Sequence, residues 1–336
     1  MKWKTTAILL AVTVGMGAYV ALYDIKRPGS DEQQILAKQV VSLPADEVTR
    51  LQVATPSGAV TLERLGAEWR LSSPLATRAD APLIRRILQA LDPLDAEREL
   101  RGSNDHPLAL STYGLEPARG TLAVARGDKT TTLEFGDPTA VGGQRYLRLA
   151  GSPTVWVVSS RLFDTLAQPV EAYRSHELLS FDTWRATSVQ VEVAGQPAYH
   201  LHRTGEAGSA WQLVEPSANQ PDPSAASAIL NTLRNLKIQR FITETPQVED
   251  VSRWGLDQPL AHVTVEAEGK TWEVFVGNPA DQEAGWRYTK RVDEPTIYAI
   301  NARDVEALPD RLKALLEVPK PPAPPDSTSS PAPASP

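Results

Sequence analysis

The stretch "YGLEP", Tyr113–Pro117, decides the fold because the chain carries a second version of it, "WGLDQP", at Trp254–Pro259. The sequence around the two stretches also matches, at a nearly constant spacing of about 140 residues. The matched pairs are Trp69 with Trp211, Pro74 with Pro216, Asp80 with Asp222, Leu88 with Leu230, Leu91 with Leu233, Gly136 with Gly277, Pro138 with Pro279, Tyr146 with Tyr288 and Leu166 with Leu308. The sequence therefore predicts a tandem duplication of a unit of about 130 residues, which is a normal domain size.

Each repeat, residues 47–180 and residues 181–317, contains many short segments of alternating apolar residues and few helical ones. Asp80 precedes a stretch whose leucines and isoleucine recur at helical spacing, which predicts a capped, core-facing helix. Two hairpins are predicted after Tyr113–Pro117, and a short helix after them closes the unit. Because the strands lie in meanders, the predicted fold class is α+β, with two repeats of antiparallel β-meanders that each pack one helix.

The segments outside the repeats predict a membrane anchor, a linker and a tail. Thr5–Tyr23 carries no charge and as a helix would span about 28 Å, enough for the bilayer hydrocarbon. An uncleaved single-pass anchor over residues 1–23, with a cytoplasmic N-terminus and the bulk exported to the periplasm, is preferred to a cleaved signal peptide. Residues 24–46 are predicted to be a juxtamembrane linker with a short helix near Gln33–Val40, and residues 318–336 a disordered Pro-rich tail.

Composition narrows the function classes. The chain has 34 Lys plus Arg against 41 Asp plus Glu and no basic run, so nucleic acid is not expected as a partner. It has no cysteine, which excludes disulfides, thiolate metal sites, thiol nucleophiles and a lipid anchor built on cysteine.

The repeated motifs resemble those of a bacterial family called domain of unknown function 4340. The resemblance rests on Trp69 with Pro74, on Tyr113–Pro117, on Gly136–Pro138 and on Tyr146, each of which recurs in the second half. It covers residues 45–315 and implies a short N-terminal anchor. It also implies a membrane accessory role beside an uncharacterised ABC-type transport system likened to the gliding-motility components. The resemblance supplies no catalytic residues.

No residue pattern points to a catalytic, cofactor or metal site. His200 and His202 share one face of a predicted strand, a spacing that can hold a metal, but no third ligand lies nearby in sequence, so exposed strand histidines are the preferred interpretation. Asp137-Pro138 and Asn278-Pro279 are interpreted as turns, in which the preceding glycine permits a positive φ. We predict no enzyme activity, no cofactor and no metal.

Three arginine pairs recur in both repeats, and so do several aromatic residues. The arginines are candidate anion ligands, although a structural role in binding carbonyls or acids is the preferred interpretation. The aromatic residues are predicted to be core anchors. The pairs are Arg64 with Arg203, Arg98 with Arg240, Arg145 with Arg287, Trp69 with Trp211, and Tyr113 with Trp254.

Two functional hypotheses follow. The first is a non-enzymatic, single-pass membrane accessory or scaffold protein, auxiliary to an ABC-type permease or its subunit. Its anchor carries a stripe of small residues, Ala7, Ala11 and Gly15, on which another helix could pack. The alternative is an exported module that binds an envelope glycan or peptide in a cleft between the repeats, with aromatic residues stacking on sugars. Those aromatic residues are Trp156, Trp272 and Trp286.

Overall fold

The computed structural model describes Trp3 and residues 38–102, 107–203, 210–280 and 285–316. The predicted anchor, Thr5–Tyr23, and the predicted tail, residues 318–336, lie outside the described residues. Among the described residues, none of the helices combines the length and the hydropathy that a membrane span requires. The chain divides into two compact units, Met1–Ser175 (unit 1) and His176–Pro336 (unit 2).

The described part of unit 1 forms one sheet in which every neighbouring pair of strands is antiparallel. Its strands are β1 (Gln39–Val41), β2 (Arg50–Thr55), β3 (Gly58–Leu65), β4 (Glu68–Ser73), β5 (Thr77–Arg78), β6 (Leu94–Leu100), β7 (Gly120–Arg126), β8 (Lys129–Pro138), β9 (Gln144–Leu149) and β10 (Val155–Ser159). They lie in the order β1-β6-β10-β9-β8-β7-β2-β3-β4-β5.

The described part of unit 2 forms a second antiparallel sheet. Its strands are β11 (Ala186–Val193), β12 (Tyr199–His202), β13 (Gln212–Glu215), β14 (Ile238–Thr243), β15 (Ala261–Ala267), β16 (Lys270–Pro279), β17 (Trp286–Arg291) and β18 (Ile297–Asn301). Read from one edge, the order is β14-β18-β17-β16-β15-β11-β12-β13, the same as that of β6 through β4 in unit 1. The prediction of two β-rich repeats with antiparallel sheets and few helices is therefore confirmed.

The start of the repeat differs from the sequence interpretation. Gln39–Val41, assigned above to the linker and partly to a short helix, form β1, which pairs with β6. In unit 2 the strand that corresponds to β6 is β14. It is hydrogen-bonded to the preceding segment as well, since the Ile238 N–H donates to the His176 carbonyl at 2.8 Å. The segment that precedes each repeat thus pairs with the start of β6 in unit 1 and of β14 in unit 2. A strand of three residues such as β1 is too short to show an alternating pattern in the sequence.

In the described part of unit 1, two helices cover one face of the sheet. They are α1 (Ala81–Gln89) and α2 (Arg161–Leu166). Leu83, Ile84, Ile87 and Leu88 of α1 are buried in one cluster with inward-facing residues of the central strands, including Leu122 and Leu133. Burial of apolar surface contributes a stabilising free energy of about 25 cal/mol per Å², and this contribution holds the helix on the sheet.

In unit 2 both faces of the sheet carry apolar clusters. The helices are α3 (Pro223–Arg234), α4 (Val248–Arg253), α5 (Ala302–Glu306) and α6 (Leu308–Lys313). Residues of α3, α5 and α6 join the large core cluster, which includes Val274 and Val276 of β16. Phe275 between them points to the opposite face and packs with a smaller cluster around Trp254 and Tyr288. That opposite face carries the candidate site described below.

The N-terminus of α1 gives a first test of the structure. The Asp80 carboxylate accepts a hydrogen bond from the Leu83 N–H at 2.7 Å, as the predicted cap requires. Asp80→Ala is expected to lower the free energy of unfolding by about 1 kcal/mol, because it leaves that donor without its cap. Asp80→Asn keeps an acceptor and serves as the control. Urea denaturation of both variants checks the prediction, and equal losses for Ala and Asn would show that the side-chain cap contributes nothing.

Candidate functional site

The motifs that repeat in sequence meet at one place in unit 1. A turn at Tyr113–Leu115 lies against the end of β8, and Gly114 has a φ of +65°. A Cβ on Gly136 would fall 2.1 Å from the Tyr113 carbonyl oxygen, so only glycine allows this approach. The Tyr113 ring packs edge-on against Tyr146 of β9, with 4.9 Å between the ring centres. We call this contact of turn and strand the turn–strand junction.

Unit 2 builds the same turn–strand junction. Gly255 has a φ of +66°, and a Cβ on Gly277 would fall 2.1 Å from the Trp254 carbonyl oxygen. The Trp254 ring stacks on Tyr288 at 5.0 Å between ring centres. The Asn278 N–H donates to the Trp254 carbonyl at 2.8 Å. The repeated residues therefore join the same turn to the same strand in both units.

One repeated arginine, Arg145 in unit 1 and Arg287 in unit 2, forms a hydrogen bond to the strand of each junction. In unit 1 the Arg145 guanidinium donates to the Gly136 carbonyl and lies 3.8 Å from the centre of the Phe163 ring. In unit 2 Arg287 donates from Nη1 to the Gly277 carbonyl at 3.3 Å and from Nη2 to Glu306 at 3.2 Å. These contacts agree with a structural role for this pair rather than an anion site.

The second arginine pair also binds backbone carbonyls. Arg64 donates to the Asp46 carbonyl at 2.8 Å, and Arg203 donates to the carbonyls of Ala186 and Trp184. Arg203 is buried, which lowers its pKa, and its guanidinium lies 4.7 Å from the centre of the Trp211 ring. Arg64 thus holds the segment that precedes β2, and Arg203 holds both the segment that precedes β11 and the first residue of that strand.

The third arginine pair is different. Arg98 on β6 and Arg240 on β14 are exposed at equivalent positions. Neither side chain forms a hydrogen bond or an ion pair with any residue in the part of the chain that the structure describes. Of the three repeated pairs, this one is available to a partner.

The junction corrects the interpretation of the Gly-Asp/Asn-Pro motif as a turn. Gly136–Pro138 and Gly277–Pro279 are the ends of β8 and β16, each with an irregularity in pairing just before the proline. Positive φ values occur at Gly114 and Gly255 instead. Gly136 and Gly277 are required by close backbone approach, which depends on tertiary contact and leaves no local signal.

Asp137 shows where the two junctions diverge. In unit 1 the Arg119 Nε donates to Asp137 at 2.6 Å, and this hydrogen bond holds the pKa of the Asp137 carboxyl below its usual range. In unit 2 the equivalent positions are Leu260 and Asn278, so both charges are absent together. An ionised group is therefore not required for the junction, as the sequence indicated.

The aromatic residues proposed for sugar stacking or core anchoring take different positions. Trp272 is buried in the large core of unit 2, which corrects its assignment as a sugar-stacking residue. Trp156 is half-buried against the core of unit 1, and Trp286 is half-buried. Among the predicted core anchors, Trp211 and Trp254 are buried, while Trp69 and Tyr113 are only half-buried.

His200 and His202 lie on β12 with their ring centres 6.3 Å apart. The His200 Nε2 is 3.2 Å from the Ser188 hydroxyl. Within the described ranges no three His, Asp or Glu side chains come together as ligands for a metal ion. His106 lies outside the described residues.

A groove of about 530 Å³ lies at one end of the unit 2 sheet, within the size range of ligand pockets. Its lining is Glu192, Val193, Ala194, Gly195, Gln196, Ala198, Pro259, His262 and Phe275. The hairpin turn between β11 and β12 forms one wall, and the Ala194 N–H donates to the Leu260 carbonyl at 2.8 Å. That bond ties the wall to the segment preceding β15, so the groove is built on paired strands.

Two ionisable side chains, Glu192 and His262, line the groove, and a third, Glu273, contacts His262 from the next strand. His262 Nδ1 lies 3.6 Å from Glu192, and His262 Nε2 lies 2.9 Å from Glu273. The Phe275 ring centre is 4.7 Å from that of His262. Glu192, His262 and Phe275 are directly opposite one another across β11, β15 and β16. We call Glu192, His262 and Glu273 the groove trio.

The groove trio belongs to unit 2 alone. The same places in the register of unit 1 hold Ala54, Thr121 and Thr132, and Glu134 replaces Phe275. Unit 1 builds the same strand order without the trio, so the fold does not require it. The sequence comparison missed these residues because it followed matches between the repeats. Divergence at exposed strand positions is the signal that could have found them.

The fold and the junctions together define the class of protein to which the chain belongs. It is built from two tandem β-rich repeats, and each repeat has an antiparallel sheet covered by helices and an aromatic-Gly-Leu turn. The model of the family described as Domain of unknown function (DUF4340) matches residues 69–249 and again residues 211–318. The chain belongs to this family. No curated protein and no solved structure matches the chain.

Proposed function

We propose that the protein is a non-enzymatic accessory or scaffold of a membrane complex, auxiliary to an ABC-type transport system of the bacterial cell envelope. Thr5–Tyr23 holds it in the cytoplasmic membrane by a single pass, and the two β-rich units are exported. The partner is an ABC-type permease or one of its auxiliary subunits.

One observation carries the proposal: two of the three repeated arginine pairs, and the repeated glycines and aromatic residues of the junctions, are used for internal contacts. The duplication thus preserved a framework, and the exposed pair Arg98 and Arg240 presents the same charge on equivalent strands of both units. A surface charge that recurs at the same position in both units is suited to binding protein partners. The uncharged N-terminal stretch supports the membrane location, and the resemblance noted above supports the link to transport.

The small-residue stripe of the anchor provides the test. Replacing Ala7, Ala11 and Gly15 with leucine makes Thr5–Tyr23 more apolar, so membrane insertion is expected to persist. The added bulk lies where two helix backbones would approach each other, so co-purification of an ABC-type membrane subunit from detergent should fall. Affinity purification after crosslinking, with quantitative mass spectrometry, measures the effect.

The control replaces Ile8 and Val12, which lie off the stripe, with leucine. Equal recovery of membrane partners by both variants would place the partner contact in the exported units. If no membrane protein is recovered with the unaltered chain after crosslinking, the accessory proposal is rejected.

A second function is favoured by the groove: an exported module that binds an envelope glycan or peptide. The groove trio is present in one repeat only, and the fold forms without it in the other. Groups that diverge after duplication at exposed positions are candidates for a ligand site, because the framework does not depend on them.

A further inference from the structure

We infer that the groove of unit 2 binds a basic side chain, lysine or arginine, of an extended peptide. The inference rests on the second proposed function and names its ligand class. Glu192 lines one end of the groove, and a second carboxylate, Glu273, lies just beyond the lining, against the Nε2 of His262. Ala198, Pro259 and Phe275 supply apolar wall along the rest.

The carboxylates retain free acceptor capacity. An ionised carboxylate offers about four lone-pair sites. Glu192 receives a hydrogen bond from the Gln190 side chain at 3.0 Å and faces His262, and Glu273 contacts His262 at 2.9 Å. Their side chains are 48% and 34% exposed, so a cation can reach them without complete removal of water.

The apolar wall suits the stem of a lysine or arginine. Such side chains bury their methylene groups along apolar surface while the charged head reaches a polar group. A cationic head near the face of Phe275 would also gain from the ring quadrupole. The positive charge opposite Phe275, Lys290 on β17, lies on the side of the ring away from His262. The groove therefore selects a cation at its trio end and an alkyl stem beside it.

Unit 1 shows the alternative arrangement at the same place. There Glu134 and Arg148, which correspond to Phe275 and Lys290, form a closed ion pair with Nε–Oε2 at 2.7 Å. Each side chain of that pair neutralises the charge of the other. In unit 2 Phe275 takes the place of this glutamate. The acidic residues lie elsewhere, with Glu192 on β11 and Glu273 two residues before Phe275 on β16.

The experiment uses the full-length protein in detergent, labelled with ¹⁵N only at histidine, of which the chain has five. The His262 resonance is assigned with His262→Gln. The probes are the blocked tripeptide Ala-Lys-Ala, the same peptide with norleucine in place of lysine, and a neutral chito-oligosaccharide. His176, whose Nδ1 lies 2.8 Å from the Ile238 carbonyl, reports whether unit 2 remains folded.

The lysine peptide is expected to shift the His262 resonance saturably, while the norleucine peptide does not. The double variant Glu192→Gln/Glu273→Gln should weaken binding by about tenfold or more, because it removes both charged acceptors. Glu266→Gln, an exposed acid on the same strand as His262, removes one charge outside the groove and should leave the affinity unchanged.

The remaining outcomes separate this inference from the proposed function beneath it. Equal shifts with both peptides, or unchanged lysine binding in the double variant, overturn cation recognition. A shift with norleucine or the oligosaccharide alone also overturns it but retains a binding module. If no probe moves His262 at millimolar concentration while His176 reports a folded unit, both the inference and the binding-module function at this groove are rejected.

Discussion

Gly136→Ala and Gly277→Ala are each expected to destabilise their own unit by about 3 kcal/mol or more, the upper range for forcing atoms into a packed interior. The nearest neighbour of the added methyl would be a backbone carbonyl oxygen only 2.1 Å away in both cases, at Tyr113 and at Trp254. A backbone atom cannot rotate aside as a flexible side chain can. The aromatic-Gly-Leu turn must therefore move away from its strand.

Hydrogen–deuterium exchange read peptide by peptide would measure the loss in each unit separately. Gly142→Ala is the matched control in unit 1, because a methyl group added there would have no neighbour within 4 Å and the φ of Gly142 needs no glycine. The two junction variants should give similar losses, since their geometry is the same. A junction variant as stable as Gly142→Ala would show that the turn adapts to the methyl group, and that the glycines repeat for another reason.

The duplication could be predicted because the same residues recur at a constant spacing, and α1 could be predicted because a packed helix leaves a periodic apolar pattern in its own sequence. Asp80 followed by a helical apolar stripe predicted α1, and the structure places that cap and that buried face as expected. The role of Arg145 could not be predicted in the same way. Its partner is a carbonyl at Gly136, and a backbone acceptor leaves no residue signature. Repetition identified the arginine, and only the fold shows what it binds.

The groove lay beyond sequence reasoning for a different reason. Glu192, His262 and Glu273 come from three strands and are brought together only by the register of the sheet. Nothing near any one of them in sequence marks it. The comparison between repeats could still have pointed to them, since Ala54 and Thr121 are the corresponding residues of unit 1. Residues that match between the duplicated units identify the shared structural framework. Residues that differ on an exposed face identify features that only one unit has.

Trp69 and Trp211, which the sequence predicts to be equivalent core anchors, should contribute very differently to the free energy of unfolding. Trp211→Ala is expected to lower the free energy of unfolding of unit 2 by about 3–5 kcal/mol, the usual cost of deleting a buried aromatic side chain. Trp211 is 7% exposed and belongs to the main core cluster. Its ring also lies under the buried Arg203 guanidinium, which would face a void in the variant.

Trp69→Ala should cost about 1–2 kcal/mol, because the Trp69 ring is only half-buried at the margin of the unit 1 core and less apolar surface returns to water. Trp211→Phe keeps an aromatic ring beneath Arg203 and should fall between the unaltered chain and Trp211→Ala. Urea unfolding combined with peptide-level hydrogen exchange separates the units. Equal losses at Trp69 and Trp211 would mean that burial in the two repeats is alike. A loss below about 1 kcal/mol at Trp211 would mean that its ring does not anchor the core and is available to a ligand.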